Sequence, residues 1–275
     1  MRLAICVQTD EVPVAVPVAL FTGSLAERAR KAAEAGADGL ELMTVDPRSL
    51  DAGAVRATLS AHGLQAAAIG SGAIASTTGL TLLHPDGAIA ARARGRLEDL
   101  IEFAAAVAAP LVTIGSLRGR LAAVGPGGQA RLAEILWAAA ERAGRLGVRL
   151  ALEPANRYEL DFVNTAADGL AFLAQVAHPA LGLLLDTFHV NIEERSWTEP
   201  FAALRAAGKL WHVHVGDNNR LAPGQGLIDF PAIVATLRRS GYDGYLSAEL
   251  LARPDADTAA LQTLSYLRPL LENAS

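Results

Sequence analysis

The stretch RLAEILWAAAERAGRLGVRLALEP, residues 131–154, contains the unit from which the fold can be deduced. Its first part, 131–147, places apolar residues at spacings of three and four, which is typical of an amphipathic helix. Gly147 suits the left-handed conformation that ends many helices. The apolar run 149–154 then predicts a short buried strand, and Pro154 ends its pairing because proline cannot donate to a strand ladder.

The same helix–glycine–strand pattern recurs along the chain. Helical patterns at 25–36 and 93–108 resemble the one at 131–147, Gly36, Gly63 and Gly241 mark further helix ends, and a last helix is predicted at 257–272. A strict order of strand and then helix implies a parallel sheet with right-handed crossovers. Eight such units predict an α/β fold of one closed (β/α)8 TIM barrel. The predicted strands are 3–8, 39–44, 64–69, 111–115, 149–154, 181–186, 210–215 and 244–250.

Length and composition agree with a single large domain. The chain has 275 residues, of which 51% are hydrophobic, so one barrel can bury a substantial core. No low-complexity linker interrupts it, and we predict one catalytic domain over 1–275. The longest segment without periodicity, 70–86, is predicted to be a long irregular loop after the third strand, and such loops are often functional. No Gly-x-Gly-x-x-Gly follows the first strand, which disfavours dinucleotide binding.

Charge and cysteine content limit the partners and the compartment. The net charge of −5 disfavours a nucleic-acid partner, which usually requires a basic surface. The single cysteine, Cys6, permits no intrachain disulfide and fits a reducing cytoplasm. Asp10 and Glu11 interrupt any signal-like apolar core, and no apolar run approaches the ~20 residues of a membrane span. We therefore expect a cytoplasmic protein that associates with neither membrane nor nucleic acid.

Four consecutive predicted strands each end in a residue that can bind a metal ion. Glu153 ends the fifth strand, Asp186 the sixth, His214 the seventh, and Glu249 lies late in the eighth. The C-terminal ends of barrel strands meet at one rim, where barrel active sites lie. Three carboxylates and one imidazole form an oxygen-rich set that suits Mn²⁺, Mg²⁺ or Co²⁺.

Each of these residues also has an explanation without a metal. Glu153 or Asp186 alone could cap the following helix or pair with an arginine. His214 alone could be a hydrogen-bonded structural histidine. Glu249 is harder to explain, because an acid late in an apolar strand must be paired or coordinated. The occurrence of all four on successive strands favours the metal site.

The stretch HVHVGDNNR, 212–220, places His212 and His214 on one face of a strand, about 7 Å apart. Only His214 is near enough to the rim to join the acids, so His212 is expected to support it by a hydrogen bond or packing.

The remaining histidines and two arginines leave several roles open. His62 and His178 lie at apparent helix ends, where they are expected to interact with terminal carbonyls, and the role of His84 in the long loop stays open. Arg118 and Arg120 follow the fourth strand, where they could bind an anionic substrate group or simply be solvated.

Several motifs resemble the ketose 3-epimerases of the xylose isomerase-like sugar isomerase/epimerase superfamily. They are LEPANRYELDFVNT, LLLDTFHVNIEE, HVHVGDNNRLAPGQGLIDF and GYDGYLSAEL, with GLTLLHP and GSLRGR in the first half. The similarity includes D-tagatose and D-psicose 3-epimerases and is strongest to 5-keto-L-gluconate epimerase. It implies a metal held by Glu153, Asp186, His214 and Glu249. It also implies substrate contacts from Glu159, His189 and Arg220, and a homo-oligomer.

The implied reaction inverts the carbon next to the carbonyl of a ketose or keto-sugar acid through a cis-enediolate. Glu153 and Glu249, on opposite sides of the metal, would remove and return the proton, and the metal, Mn²⁺ first, would polarise the carbonyl. The same ligands would equally serve an aldose–ketose isomerase of the hydroxypyruvate isomerase type. A zinc-dependent abasic-site endonuclease would need more histidines than the six present. A non-catalytic sugar-binding barrel would not need two carboxylates across a metal.

Overall fold

Eight parallel strands close into a barrel in the order of the sequence in the computed structural model, which describes residues 1–272. Strand β1 pairs with β2 on one side and with β8 on the other, from Arg2 opposite Tyr245 to Ile5 opposite Ala248. This closure confirms the predicted (β/α)8 fold. The strands are β1 (Arg2–Gln8), β2 (Gly39–Met43), β3 (Gln65–Gly70), β4 (Leu111–Ile114), β5 (Arg149–Leu152), β6 (Leu181–Asp186), β7 (Leu210–Val215) and β8 (Tyr245–Ala248).

Helices follow every strand, as predicted, and their apolar faces pack on the barrel. Within residues 1–272 they are α1 (Leu25–Glu34), α2 (Ala52–Ala61), α3 (Gly72–Thr78), α4 (Gly87–Ala106), α5 (Gly128–Arg145), α6 (Ala166–Val176), α7 (Thr187–Glu193), α8 (Glu199–Ala206), α9 (Phe230–Arg239) and α10 (Ala256–Glu272). Helix α4 begins six residues before the predicted 93. It does so because the Asp86 carboxylate caps it by accepting hydrogen bonds from the amides of Ala88 and Ile89. No helix in this part of the chain is long and apolar enough to cross a membrane.

The segment 70–86 is not the wholly irregular loop that its composition predicts, because it contains helix α3. Serine and threonine are weak helix formers, and tertiary packing overrides that preference here. Ala73 and Ile74 are fully buried, and the hydroxyls of Thr77 and Thr78 donate to carbonyls one turn earlier. The helix therefore forms because one of its faces is covered.

The predicted helix-ending glycines adopt the expected conformation. Gly36, Gly63, Gly147 and Gly241 have φ angles of 85°, 70°, 72° and 69°. Side chains other than glycine rarely adopt this left-handed region, so these four predictions are confirmed.

The barrel interior carries polar side chains, whereas the outer faces of the strands are apolar. In β2, Leu40 and Leu42 belong to the core cluster shared with the helices, and Glu41 lies between them. Glu41 bonds to Thr113 of β4 and to two histidines of β7 and therefore points into the barrel. The alternation of a strand thus places one buried acid inside.

We predict that Gly182→Ala destabilises the barrel wall between β6 and β7. A Cβ at residue 182 would lie 2.4 Å from the Trp211 ring. Arg149 Cζ and Lys209 Nζ lie 5.1 and 5.5 Å from the centre of that ring and limit its movement. Such overpacking costs about 1–3 kcal/mol of unfolding free energy, measurable by denaturant titration. Gly87→Ala is the matched control, because nothing lies within 4 Å of its added Cβ, and it should leave stability unchanged or slightly higher.

Candidate active site

The structure brings together the four residues that end strands five to eight. Glu153 and Glu249 directly follow β5 and β8, Asp186 is the last residue of β6, and His214 lies in β7. One potential ligand atom from each lies within 4.8 Å of the others, and all four residues are buried. Glu153 and Glu249 stay in register with the sheet, because their amides donate to the carbonyls of Ile114 and Val215 at 3.0 and 3.3 Å.

Three buried atoms that face one another here have no hydrogen-bond partner. They are Glu153 Oε1, Asp186 Oδ2 and His214 Nδ1. His214 Nδ1 lies 3.5 Å from both Glu153 Oε1 and Glu249 Oε2. Buried polar atoms are normally satisfied, and converging carboxylates repel one another unless a cation lies between them. The donor set of three carboxylates and one imidazole therefore fits a divalent cation with oxygen-rich coordination.

Asp186 has two functions at once. Its Oδ1 accepts the amide of Phe188 at 2.8 Å and caps α7, while Oδ2 points to the cluster. The capping explanation that the sequence allowed for Asp186 is thus correct, and it leaves the second oxygen available as a ligand.

The pKa values of the cluster reflect its crowded charges. Burial lowers the pKa of His214, but the carboxylates of Glu41 and Glu249 outweigh burial and raise that pKa well above its ordinary value. Burial raises the pKa of Glu249, yet His214 and Arg220 lower it to about 2. Burial is the main reason that the pKa of Asp186 is raised. The cluster therefore needs positive charge to keep its acids ionised.

Arg220 supplies one such charge from the loop after β7. Its Nη1 donates to Glu159 Oε1 at 3.0 Å and its Nη2 to Glu249 Oε2 at 3.1 Å, while Asp186 Oδ2 lies 3.8 Å away. The guanidinium stacks over the Phe188 ring at 4.7 Å. Arg220 and Glu159, which the family resemblance singled out, therefore lie together beside the cluster.

His189 is oriented by a residue that the sequence reasoning missed, Asn156. The Asn156 Oδ1 accepts the amides of Tyr158 and Glu159, so its Nδ2 is the donor that lies 2.8 Å from His189 Nδ1. His189 Nδ1 must then accept, which places the proton on Nε2. That nitrogen lies 3.9 Å from Glu153 Oε1 and 4.0 Å from Asp186 Oδ2 and can donate to a ligand there.

Glu41 is the second missed residue. Its carboxylate accepts hydrogen bonds from the Nε2 atoms of His212 and His214, on the side of His214 away from the acids. The sequence contains a signal for Glu41, because an acid between two leucines of a predicted strand indicates a buried carboxylate that needs partners. The expectation that His212 only supports the site agrees with this geometry, since His212 contacts Glu41 and is absent from the four-residue cluster.

Glu153, His214 and Glu249 of the cluster line a cavity of about 350 Å³ at the C-terminal end of the barrel, within the ~300–1,000 Å³ range of small-molecule pockets. The apolar part of its lining includes Val16, Pro17, Val18, Leu160 and Leu251. A larger cavity of about 500 Å³ lies around the N-terminal ends of the strands, lined by Arg2, Arg149 and Arg205. It contains none of the four clustered residues, so the smaller cavity is the candidate active site.

Comparison with known proteins assigns the chain to a family. Residues 29–270 match the family described as Xylose isomerase-like TIM barrel.

The chain belongs to the xylose isomerase-like TIM barrel family.

Its curated relatives are epimerases, which are isomerases. It is 33% identical over 222 residues to a ketose 3-epimerase of Arthrobacter globiformis, covering 78% of this chain and 73% of that protein. It is 31% identical over 244 residues to an L-ribulose 3-epimerase of Methylomonas sp. (strain DH-1), covering 87% and 82%. The crystal structure of a D-allulose 3-epimerase from Methylomonas sp. superimposes with a TM-score of 0.79 at 26% identity, over 98% of both chains.

Arg118 is neither solvated nor available to an anionic substrate group. It is 1% exposed, and its guanidinium donates to the carbonyls of Glu153, Phe162 and Val163. Burial lowers its pKa to about 10. Arg120 likewise donates to two carbonyls, of Tyr158 and Glu159, at 3.0 and 2.7 Å. Both arginines therefore fix the loop that carries Glu153 and Glu159 in this family member, a role that their sequence position does not reveal.

The other histidines lie outside the site. His62 ends α2, as expected. The expectation that His178 interacts with terminal carbonyls is wrong, because its Nε2 lies 2.9 Å from Glu141 Oε1 and its Nδ1 accepts the amide of Ala180. His84 Nδ1 accepts the amide of Asp86 and thereby shapes the turn before α4.

We predict that Gly115→Ala weakens metal binding, since its added Cβ would lie 2.4 Å from Glu153 Oε2 and displace that carboxylate. Gly72→Ala is the matched control, because its Cβ would lie 4.0 Å from Glu249 Oε1, an ordinary contact. Isothermal titration with Mn²⁺ should show a loss of at least about 10-fold in affinity for Gly115→Ala alone. Equal affinity in both variants would contradict this account of the site.

Proposed function

We propose that this protein is a divalent-metal-dependent ketose 3-epimerase that inverts C3 of an uncharged ketose. The observation that supports it most is the placement of Glu153 and Glu249, which lie 3.5 Å from the same His214 nitrogen and come from strands on two sides of the cluster. Epimerisation needs one group on each face of the carbon that loses its proton. Two carboxylates in this arrangement satisfy that requirement.

Glu153, Asp186, His214 and Glu249 would hold the cation, for which Mn²⁺ is proposed first and Mg²⁺ and Co²⁺ are the alternatives, because three carboxylates and one imidazole suit all three ions. When bound, a divalent cation supplies Lewis-acid polarisation of the substrate carbonyl, which acidifies the neighbouring C–H bond. The three unpartnered atoms of the cluster are the reason to expect it.

Proton transfer is assigned to the two glutamates. One carboxylate removes the C3 proton and gives a cis-enediolate, and the other returns a proton to the opposite face. The roles exchange in the reverse reaction. Positioned general acids and bases typically contribute about 10²–10⁴-fold each.

His189 and Arg220 are assigned to the substrate oxygens. The Nε2–H of His189 faces the cluster because Asn156 occupies its other nitrogen, so it can donate to developing negative charge on the enediolate. Arg220 and Glu159 together offer donors and acceptors that suit sugar hydroxyls.

The charges of the pocket favour a neutral ketose over a keto-sugar acid. Among the described residues that line the pocket, Arg220 is the one lysine or arginine, and it is hydrogen-bonded to Glu159 and Glu249. Arg118 and Arg120, the cations that could have bound a carboxylate or phosphate, are bonded to carbonyls. The single domain, cytoplasmic location and homo-oligomeric state stay predictions.

We predict that Glu153→Gln and Glu249→Gln each reduce kcat by about 10²–10⁴-fold, because an amide cannot accept the proton from carbon. The measurement is C3 deuterium incorporation by NMR in D₂O, with L-ribulose and D-allulose among the ketoses, named for the relatives. Glu34→Gln, at an exposed position of α1, is the control and should retain activity. Full epimerisation by either site variant would refute the assigned proton transfer.

Metal removal should abolish turnover and lower thermal stability. We expect EDTA-treated protein to be inactive and Mn²⁺ to restore it. Added Mn²⁺ at one hundred times its Kd should stabilise folding by about 2.7 kcal/mol, because only the folded state presents the cluster. Calorimetry and product analysis provide the measurement. An aldose product would instead assign an aldose–ketose isomerase, and undiminished turnover in EDTA would overturn the metal requirement.

A further inference from the structure

Glu41 is a fully buried carboxylate that the proposed proton transfer does not use. It lies in the middle of β2, and strand alternation turns it into the barrel while Leu40 and Leu42 face the helices. Among the described residues, no lysine or arginine nitrogen lies within 4.0 Å of its oxygens, and its charged partners can only be histidines. A buried acid without a lysine or arginine partner must be retained by other hydrogen-bond donors.

Three side-chain donors converge on this carboxylate, and one of them is shared between its two oxygens. His212 Nε2 lies 2.9 Å from Oε2, and His214 Nε2 lies 3.0 Å from Oε2 and 3.1 Å from Oε1. The Thr113 hydroxyl donates to Oε1 at 3.1 Å. An ionised carboxylate only accepts, so both imidazoles must carry a proton on Nε2.

The consequence for His214 is a defined tautomer. With one proton held on Nε2, the uncharged form of the ring, which is the form that binds a metal, has its lone pair at Nδ1. This is the atom that lies 3.5 Å from Glu153 and from Glu249. A histidine binds a metal only through an unprotonated nitrogen. The opposite tautomer would aim a proton at the cation.

We propose that Glu41 is a positioning residue, which fixes the tautomer and the ring orientation of His214 so that Nδ1 can bind the metal. This inference rests on the proposed metal site. Glu41 touches none of the reacting atoms and acts through His214. Loss of the hydrogen-bond partner of a ligating histidine typically lowers metal affinity by about 10–100-fold, and we expect a loss of that size here.

His212 holds this carboxylate in place. The two rings stand nearly perpendicular, at 84°, with centroids 5.2 Å apart, and they approach the same oxygen from different directions. Gly70 of β3 lies beside the carboxylate, since a Cβ there would be in ordinary contact with Glu41 Oε1, at 3.4 Å. The carboxylate is therefore confined from β3, β4 and β7.

The test is Mn²⁺ affinity by isothermal titration for the wild type and for Glu41→Gln. The amide accepts at one atom only, so its NH₂ group opposes at least one Nε2–H and favours a proton on Nδ1 of that histidine. We expect Kd to rise 10–100-fold in Glu41→Gln. Asp99→Asn, which neutralises another buried acid, paired with Arg48 and Arg96, is the control and should retain wild-type affinity.

The outcomes separate this inference from the proposed function. If wild type does not bind Mn²⁺, the metal site itself is refuted. If wild type binds and Glu41→Gln binds equally well, the positioning role is refuted. Reduced stability of the metal-free variant with unchanged Kd would assign Glu41 a structural role only and would likewise overturn the proposal.

A measurement on the wild type keeps the proposal falsifiable should Glu41→Gln fail to fold. With ¹⁵N-histidine labelling and saturating Mg²⁺, the His214 Nε2 signal should be that of a protonated nitrogen, and the Nδ1 signal should shift as Mg²⁺ is added. A His214 ring protonated on Nδ1 in the Mg²⁺-loaded protein would overturn it.

Discussion

Three carboxylates, from Glu153, Asp186 and Glu249, are buried within one small volume, and their mutual repulsion is the constraint that the rest of the site must offset. Arg220 reaches in from its loop to contact Glu249 and approach Asp186. His214 contributes an imidazole from between them. These partners still leave buried oxygens of Glu153 and Asp186 unsatisfied, which is the electrostatic reason that a cation belongs at the centre.

Closure of the barrel makes this concentration of charge possible. The pairing of β1 with β8 completes a ring in which the ends of β5 to β8 face one another around a common axis. Rigid strands and the buried Arg118, which holds the carbonyl of Glu153, fix the carboxylates that would otherwise separate. Sites built on strand ends are more exact in position than sites built on loops.

The histidines of this site are positioned by residues that lie behind them, one contact away from the cavity. Asn156 sets the tautomer of His189, and Glu41 sets that of His214. In both cases one ring nitrogen is occupied, which decides what the other can do: donate from His189, or accept a metal at His214. The two histidines of one site are thus given opposite roles by their partners, an amide for one and a carboxylate for the other.

The eight strand–helix units, the glycine helix ends and the four strand-end residues could be predicted from the sequence alone. This was possible because periodicity and strand order place those residues at one rim whatever the details of packing. The partners of Glu41, Asn156 and Arg118, by contrast, depend on how the chain folds in three dimensions. The alternation of β2 shows that Glu41 faces away from its leucines, but the stagger of the closed barrel brings it to His212 and His214, about 170 residues along the chain. The sequence left Arg118 open between anion binding and solvation, because its partners, the carbonyls of Glu153, Phe162 and Val163, come together only once the loops have folded.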